Sequence, residues 1–392
     1  MEATRLTATH DALSPRLRKI KDRLLLTRPT VCLERARFYT DAYRRFEAKP
    51  LIIRRALALQ QTLEQATIFI DDGELIVGNQ ATRLKAAPIF PEYAVAFLVE
   101  ELDSFDHRPG DAFFLSPEDK QEIREVCSWW AGKTVHERGL ELMSEELRAM
   151  YDSGLIRAEA NLTCGDGHIA VDFPRLLADG LGGYRKRVRE ASERLDATDW
   201  ADLRKSTFHQ SVEIALQAVG TFIRRFAALA QEMAASETDA ARQTELALIA
   251  DNCLRIAQDP PESFHQALQL VYFIQLVLQI ESNGHSVSLG RLDQYLLPFY
   301  RADLRRGLLS EAQAEELLGC LWLKLLGINK IRPWSHTRYT AGSPLYQNVT
   351  IGGRTPEGVD AVNELTYAVL HSVGSLSLPQ PNLSVRYHRD VD

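Results

Sequence analysis

Glu281-Ser282-Asn283-Gly284-His285-Ser286-Val287-Ser288-Leu289-Gly290-Arg291 decides how this chain is read, because of the segment it follows. Residues 265–280, HQALQLVYFIQLVLQI, are apolar almost all round, interrupted by Gln266, Gln269, Gln275 and Gln279. A helix that is apolar on every side is a buried one. The segment is shorter than the roughly 20 residues a bilayer crossing needs, which points to a central soluble helix. At its end come Asn, His and Ser, with Gly284 and Gly290 to let the backbone turn. Polar groups delivered by a buried helix must pair with one another, with water or with a ligand. An active-site wall and a hydrogen-bonded helix terminus both meet that need, and the residues alone leave both open for His285 and Ser286.

The rest of the composition narrows the class. A chain of 392 residues with 45% apolar and 25% charged content is a globular protein of one large domain or two to three ordinary ones. A net charge of −7 leaves no basic footprint for nucleic acid. Cys32, Cys127, Cys164, Cys253 and Cys320 form no CxxC, which predicts reduced thiols and a cytoplasmic location. The first thirty residues are rich in Arg and Lys but contain acidic residues and no apolar core, so no secretion signal is expected.

Ahead of the central segment, 33–47 and 51–65 read as amphipathic helices. Thr67–Ile70 and Glu74–Val77 flank Asp71-Asp72-Gly73, which predicts a hairpin. Helices are predicted over 92–103, over 117–130 from a Ser116-Pro117 start, and over 134–154 up to Gly154. The polar, Gly-rich ANLTCGDGHIAVD of 160–172 reads as a loop. Helices follow over 185–194, 207–234 and 239–257. Asp259-Pro260-Pro261-Glu262 supplies the cap, proline and capping-box Glu expected ahead of the central helix. Beyond it, Leu292, Tyr295, Leu296 and Phe299 recur at helical spacing, and Ser310–Gln313 is a capping box for a helix to Gly327. Gln347–Ile351 and Asn382–Tyr387 read as strands around a helix over 359–373, a βαβ unit with a parallel pair. Sequence ends just past the second strand. A parallel sheet left with an open edge is unusual, so an incomplete chain is expected.

Few residues outside the central stretch carry chemistry. Gly165-Asp166-Gly167-His168-Ile169-Ala170 matches the G-x-G-x-x-A of a dinucleotide fold, but the preceding Ala158–Leu162 is a poor parallel strand. A tight loop, or one that presents His168 and Asp166 to a cavity, fits better. Ten histidines include no H-x-x-x-H or Cys/His metal spacing, and His265 and His371 read as core or surface residues. Cys164, near His168, reads either as a reactive thiol or as a buried filler; Cys320 reads as core.

Glu281–Ser286, followed by Gly290-Arg291-Leu292-Asp293-Gln294-Tyr295, resembles the pyruvate formate-lyase superfamily of glycyl radical enzymes. The similarity is to its dehydratase/lyase branch, which includes B12-independent glycerol dehydratase and choline trimethylamine-lyase. Glu34-Arg35-Ala36, Gly78-Asn79-Gln80, Gly167–Phe173, Gln347–Gly353 and Pro381–Arg386 agree in order, so the resemblance spans essentially residues 1–392 as the N-terminal part of a pyruvate formate-lyase-type domain.

The resemblance implies a helix-rich α/β fold, the N-terminal half of a ten-stranded α/β barrel of the glycyl radical enzyme type. It implies a lyase of anaerobic metabolism in which a glycyl radical, installed by a radical S-adenosylmethionine activase, passes to a Cys thiyl that abstracts hydrogen from a small-molecule substrate. His168 matches the histidine that contacts a substrate hydroxyl, and His285 and Ser286 match a pair lining the same pocket. A histidine at 168, where choline-type lyases carry an acid, implies a neutral polyol, with a phosphorylated polyol as a variant. A homodimer is implied for the complete enzyme.

The family's Gly-Cys-x-Glu and Arg-Val-x-Gly motifs do not occur here, and Gly319-Cys320 is followed by Leu321-Trp322. The expectation is therefore a truncated dehydratase or C–O lyase, inactive without the missing half. Two alternatives stand beside it: a non-catalytic helical remnant acting as an interaction protein, and a formate acetyltransferase-like acyl lyase.

Overall fold

The glutamine-bearing segment forms one helix, Phe264–Glu281, with most of its side chains buried at the centre of the main hydrophobic core. Two of its buried glutamines, Gln269 and Gln275, hold neighbouring segments. Gln269 donates to the Val77 carbonyl and accepts from the Val77 amide, both at 2.8 Å, while Gln275 donates to the Val287 carbonyl at 2.9 Å and to Gln347 at 3.1 Å. A computed structural model describes residues 13–157, 162–338 and 345–391. The opening of the 160–172 loop and the first twelve residues lie outside that range.

Around the central helix stand Glu34–Arg45, Leu51–Gln65, Trp200–Ser236, Ala240–Ile256 and Glu311–Gly327. The architecture is the expected helix-rich α/β. Five short strands form two all-parallel sheets among the described residues. In the first, β1 (Thr30–Cys32) pairs with β2 (Ala86–Pro88). In the second, β4 (Asn348–Gly352) lies between β3 (Gly290–Arg291) and β5 (Asn382–Arg386), with Asn348 opposite Asn382. The βαβ unit is as predicted, although its helix starts later, at Glu364, behind an Asn363 capping box. Asp293, fully buried, ties the unit together by accepting from the Gly352 amide at 2.8 Å and the Thr366 hydroxyl at 2.7 Å.

Several expectations are corrected. No ladder joins Thr67–Ile70 to Glu74–Val77, although Glu74 N still bonds Asp71 O across the turn and Gly73 has φ 81°. The backbone groups a hairpin would pair go to side chains instead: the Phe69 amide to Asn79, Val77 to Gln269, the Leu75 carbonyl to His265, and the Asp71 and Glu74 carbonyls to Arg242. Packed helices outbid a local turn signal. Replacing Gln269 by Leu leaves both polar groups of Val77 buried and unpaired, and should cost ~2–4 kcal/mol in urea unfolding; a loss below ~0.5 kcal/mol would show that Gln269 is dispensable.

The helix predicted over 134–154 is two, Val135–Glu141 and Glu145–Asp152, each with its own cap, Thr134 and Ser144. The helix predicted over 92–103 shrinks to Ala96–Glu100. Phe173–Ser192 begins twelve residues before the predicted 185, capped by Asp172 and kinked at Gly180. The cap of the central helix is Ser263, whose hydroxyl accepts from the Gln266 amide, and not Asp259. The Asp303 carboxylate also accepts from the Phe264 amide at 2.7 Å, placing negative charge at the positive end of the helix dipole.

Candidate active site

After Glu281 the chain leaves the helix in extended form and is held from two sides. On one side His168 N donates to His285 O at 2.9 Å and Ser288 N to Ile169 O at 2.8 Å; on the other, Ser286 N donates to Leu345 O and Leu289 N to Asn348 O, both at 2.8 Å. The glycines exist for the first contact. A Cβ on Gly167 would lie 2.5 Å from His285 O, one on Gly165 2.2 Å from the Ser282 hydroxyl, and one on Gly284 1.7 Å from Asp166 O. Gly165 and Gly167 thus serve close approach of two protein segments, which removes the dinucleotide reading.

This zipper brings His168 and His285 together, their ring centroids 5.0 Å apart and nearly edge to face. His168 is exposed; His285 and Ser286 are half-buried. His168 and Ser286 both hold left-handed backbone, φ 54° and 61°, an uncommon conformation for non-glycine residues that tends to mark functional sites. Two residues not singled out from the sequence join the cluster: His336 and Tyr346, each with its ring 6.1 Å from that of His285. Their position beside the basic 330–332 run and directly before β4 was the only signal available. Cys164 is buried, its Sγ 3.8 Å from His336 Nδ1. Asp166 points elsewhere: it pairs with Arg55 and, with Leu278 and Glu281, lines a separate cavity of about 400 Å³.

Burial, followed by the charges of Arg332, His168, His336 and Lys330, lowers the His285 pKa from 6.5 to about 4. The ring is a neutral hydrogen-bonding group at physiological pH, and its buried Nδ1 has no protein partner among the described residues. Between pH 6.5 and about 4 the unfolded chain takes up a proton here and the native chain does not, so stability is lost as pH falls through that window. Partial exposure of the ring reduces the contribution to ~1–2 kcal/mol. Unfolding of the native chain and of His285→Asn at pH 7 and pH 4.5 isolates it: the variant should lose ~1 kcal/mol less on acidification, and equal losses would contradict the shift.

Cys320 does not fit a hydrogen-abstracting role. It lies inside a helix and within the main hydrophobic core, 3% exposed. All five cysteines are free and buried. No helix among the described residues is long and apolar enough to cross a membrane.

Residues 8–392 match the family described as pyruvate formate lyase-like. The chain belongs to that family. It is 51% identical over 383 residues to "Probable dehydratase YbiW" of Escherichia coli K12, covering 96% of this chain and 47% of the relative. It is 33% identical to the (2S)-3-sulfopropanediol dehydratase of Klebsiella oxytoca, covering 96% and 46%. The glycerol-bound B12-independent glycerol dehydratase of Clostridium butyricum superposes with a TM-score of 0.93 at 37% identity, over 96% of this chain and 48% of that one. These relatives put the chain in the dehydratase branch of the glycyl radical enzymes. The chain spans about half the length of the relatives it matches.

Proposed function

We propose that this chain builds the hydroxyl-binding wall of a glycyl radical dehydratase, a C–O lyase acting on a polyol-like substrate, with His168, His285 and Ser286 holding substrate hydroxyls. The observation that carries this reading is the pair of imidazoles 5.0 Å apart, delivered by two zipped segments, one ring neutral and with an unpaired nitrogen. A neutral imidazole accepts a hydroxyl hydrogen bond at one nitrogen and donates at the other. Ser286 adds a hydroxyl that does both. Such groups orient a polyol without demanding charge from it, and the relatives include enzymes named for sulfopropanediol, hydroxyproline and glycerol.

In an enzyme of this branch, a radical glycine and a thiyl cysteine supply hydrogen abstraction. On this reading both come from polypeptide outside these 392 residues, since neither of their motifs occurs within them. A radical S-adenosylmethionine activase and a second copy of the complete enzyme are the proposed partners. Binding tests the wall directly: titration of glycerol or 1,2-propanediol should shift the ring signals of His168 and His285 in the NMR spectrum of ring-labelled chain. Unmoved signals would favour the interaction-protein alternative. After anaerobic incubation with an activase, S-adenosylmethionine and reductant, the chain should show no glycyl doublet by electron paramagnetic resonance; a doublet would overturn the proposed division of labour.

A further inference from the structure

A helix leaves its last carbonyls without intrahelical partners, and most helices give them to water or to a glycine turn. The central helix does neither. Three carbonyls of its last turn and the three that follow it, Gln279 to Gly284, each accept from a buried or half-buried side chain. Gln80 serves Gln279 at 3.2 Å; Arg35 serves Ile280 at 2.6 Å and Glu281 at 2.8 Å. Lys330 serves Ser282 and Gly284, and Arg332 serves Asn283 at 3.2 Å and Gly284 at 3.4 Å. Gln80 also accepts from the Asn329 amide at 3.0 Å, which joins it to the segment carrying the two basic residues. Arg35 and Gln80 belong to Glu34-Arg35-Ala36 and Gly78-Asn79-Gln80, motifs that the proposed function leaves without a task.

The charges are arranged unevenly. Arg35 is neutralised by Glu92, with contacts at 2.5 and 3.1 Å. Lys330 and Arg332 are 2% and 5% exposed and make no ion pair among the described residues. Burial and the neighbouring guanidiniums push the Lys330 ammonium well below the usual lysine range. The fixed positive charge behind His285 is therefore chiefly that of Arg332, offset in part by the negative end of the helix dipole.

We propose that Arg35, Lys330 and Arg332, with Gln80, are positioning residues: they fix the backbone ahead of His285 and Ser286 and lay a positive charge behind the imidazole. The proposal takes His285 and Ser286 as the substrate-facing pair and so rests on that reading. A clamp of this kind holds the backbone through its carbonyls and makes no use of the polar atoms of His285 and Ser286. The groups facing His285 are Arg332 and Lys330 from the 330–332 run, His336 from the short helix after it, His168 from the loop, and the Tyr346 ring before β4. None of them is a carboxylate, so only the helix dipole offsets Arg332.

Ring-labelled histidine NMR on the full chain tests this, with the His285 signal assigned by His285→Asn. In the native chain His285 should titrate near pH 4. Arg332→Gln should raise the midpoint by about one unit, a tenfold change in proton affinity, and Arg332→Lys should restore it. Gln80→Ala carries no charge change and should leave the midpoint alone while speeding amide exchange over 282–286 by about tenfold. A native midpoint near 6.5, or equal midpoints in native chain and Arg332→Gln, would overturn the charge role; unchanged exchange in Gln80→Ala would overturn the clamp. Should Arg332→Gln not fold, the native midpoint and the Gln80→Ala exchange still decide. Glycerol added to the same samples separates the two readings: absent ring shifts with an intact clamp reject the substrate wall and leave the clamp standing.

Discussion

Gly284→Ala should destabilise the chain by at least ~3 kcal/mol, the largest effect of any single added methyl near the site. The new Cβ would fall 1.7 Å from the Asp166 oxygen, 2.3 Å from its carbon and 2.9 Å from the Gly167 nitrogen. All three are backbone atoms, so no side chain can swing aside. Relief requires the 165–168 loop to separate from the extended segment, which breaks the bond from His168 N to His285 O and parts the two imidazoles. Gly290→Ala is the matched control. It has φ 68° but nothing within 4 Å of the added carbon, and should cost only ~1–2 kcal/mol of backbone strain. Chemical unfolding of both variants measures the difference, and NMR contacts between the two rings report the geometry. A Gly284→Ala chain within ~1 kcal/mol of native, rings still in contact, would mean that the zipper is looser than described.

Arg35→Met should come second, at ~3–5 kcal/mol. The guanidinium is 2% exposed and sits between aromatic faces, 3.6 Å from the Tyr39 centroid and 3.8 Å from that of Phe90. Its removal leaves Glu92 without its cation in a site only 11% open, and leaves the carbonyls of Ile280 and Glu281 without their donor. Methionine fills much of the volume, so the loss reports polarity rather than a cavity. A double-mutant cycle with Glu92→Gln apportions it: the double variant should recover ~1–2 kcal/mol over Arg35→Met alone, because the stranded carboxylate is gone. Strict additivity would show that the ion pair contributes little and that the carbonyl bonds carry the cost.

The elements that were legible in the sequence share a cause. The central helix, the Ser116 helix start, the Ser310 capping box and the β4–β5 pair are each specified by residues within one element. Those misread were settled by partners far along the chain. The Thr67–Val77 segment carries a sound hairpin signal, but Gln269, some 190 residues away, takes the backbone of Val77. The 134–154 region is the local exception: no proline marks the break, and the Ser144 cap that opens a second helix divides it. For the site, His285 and Ser286 stand out at the polar end of a buried helix and His168 in a Gly-rich loop, their shared role comes from a resemblance, and the structure brings the two histidines together. His336 and Tyr346 were invisible because their neighbours in space are remote in sequence. Arg35, Lys330 and Arg332 were visible as residues but not as a group, since two separate segments supply the three.

The capping of six consecutive carbonyls has a consequence for how such a site can change. Carbonyls that already accept from Gln80, Arg35, Lys330 and Arg332 keep at most one lone pair for a substrate, and Gly284, which accepts from two donors, keeps none. Chemistry on this wall is thereby carried chiefly by side chains, those of His168, His285 and Ser286 with His336 and Tyr346 beside them. Frame and contact surface become separable parts: new side chains can be tried at 285 and 286 while the rail that carries them stays where it is.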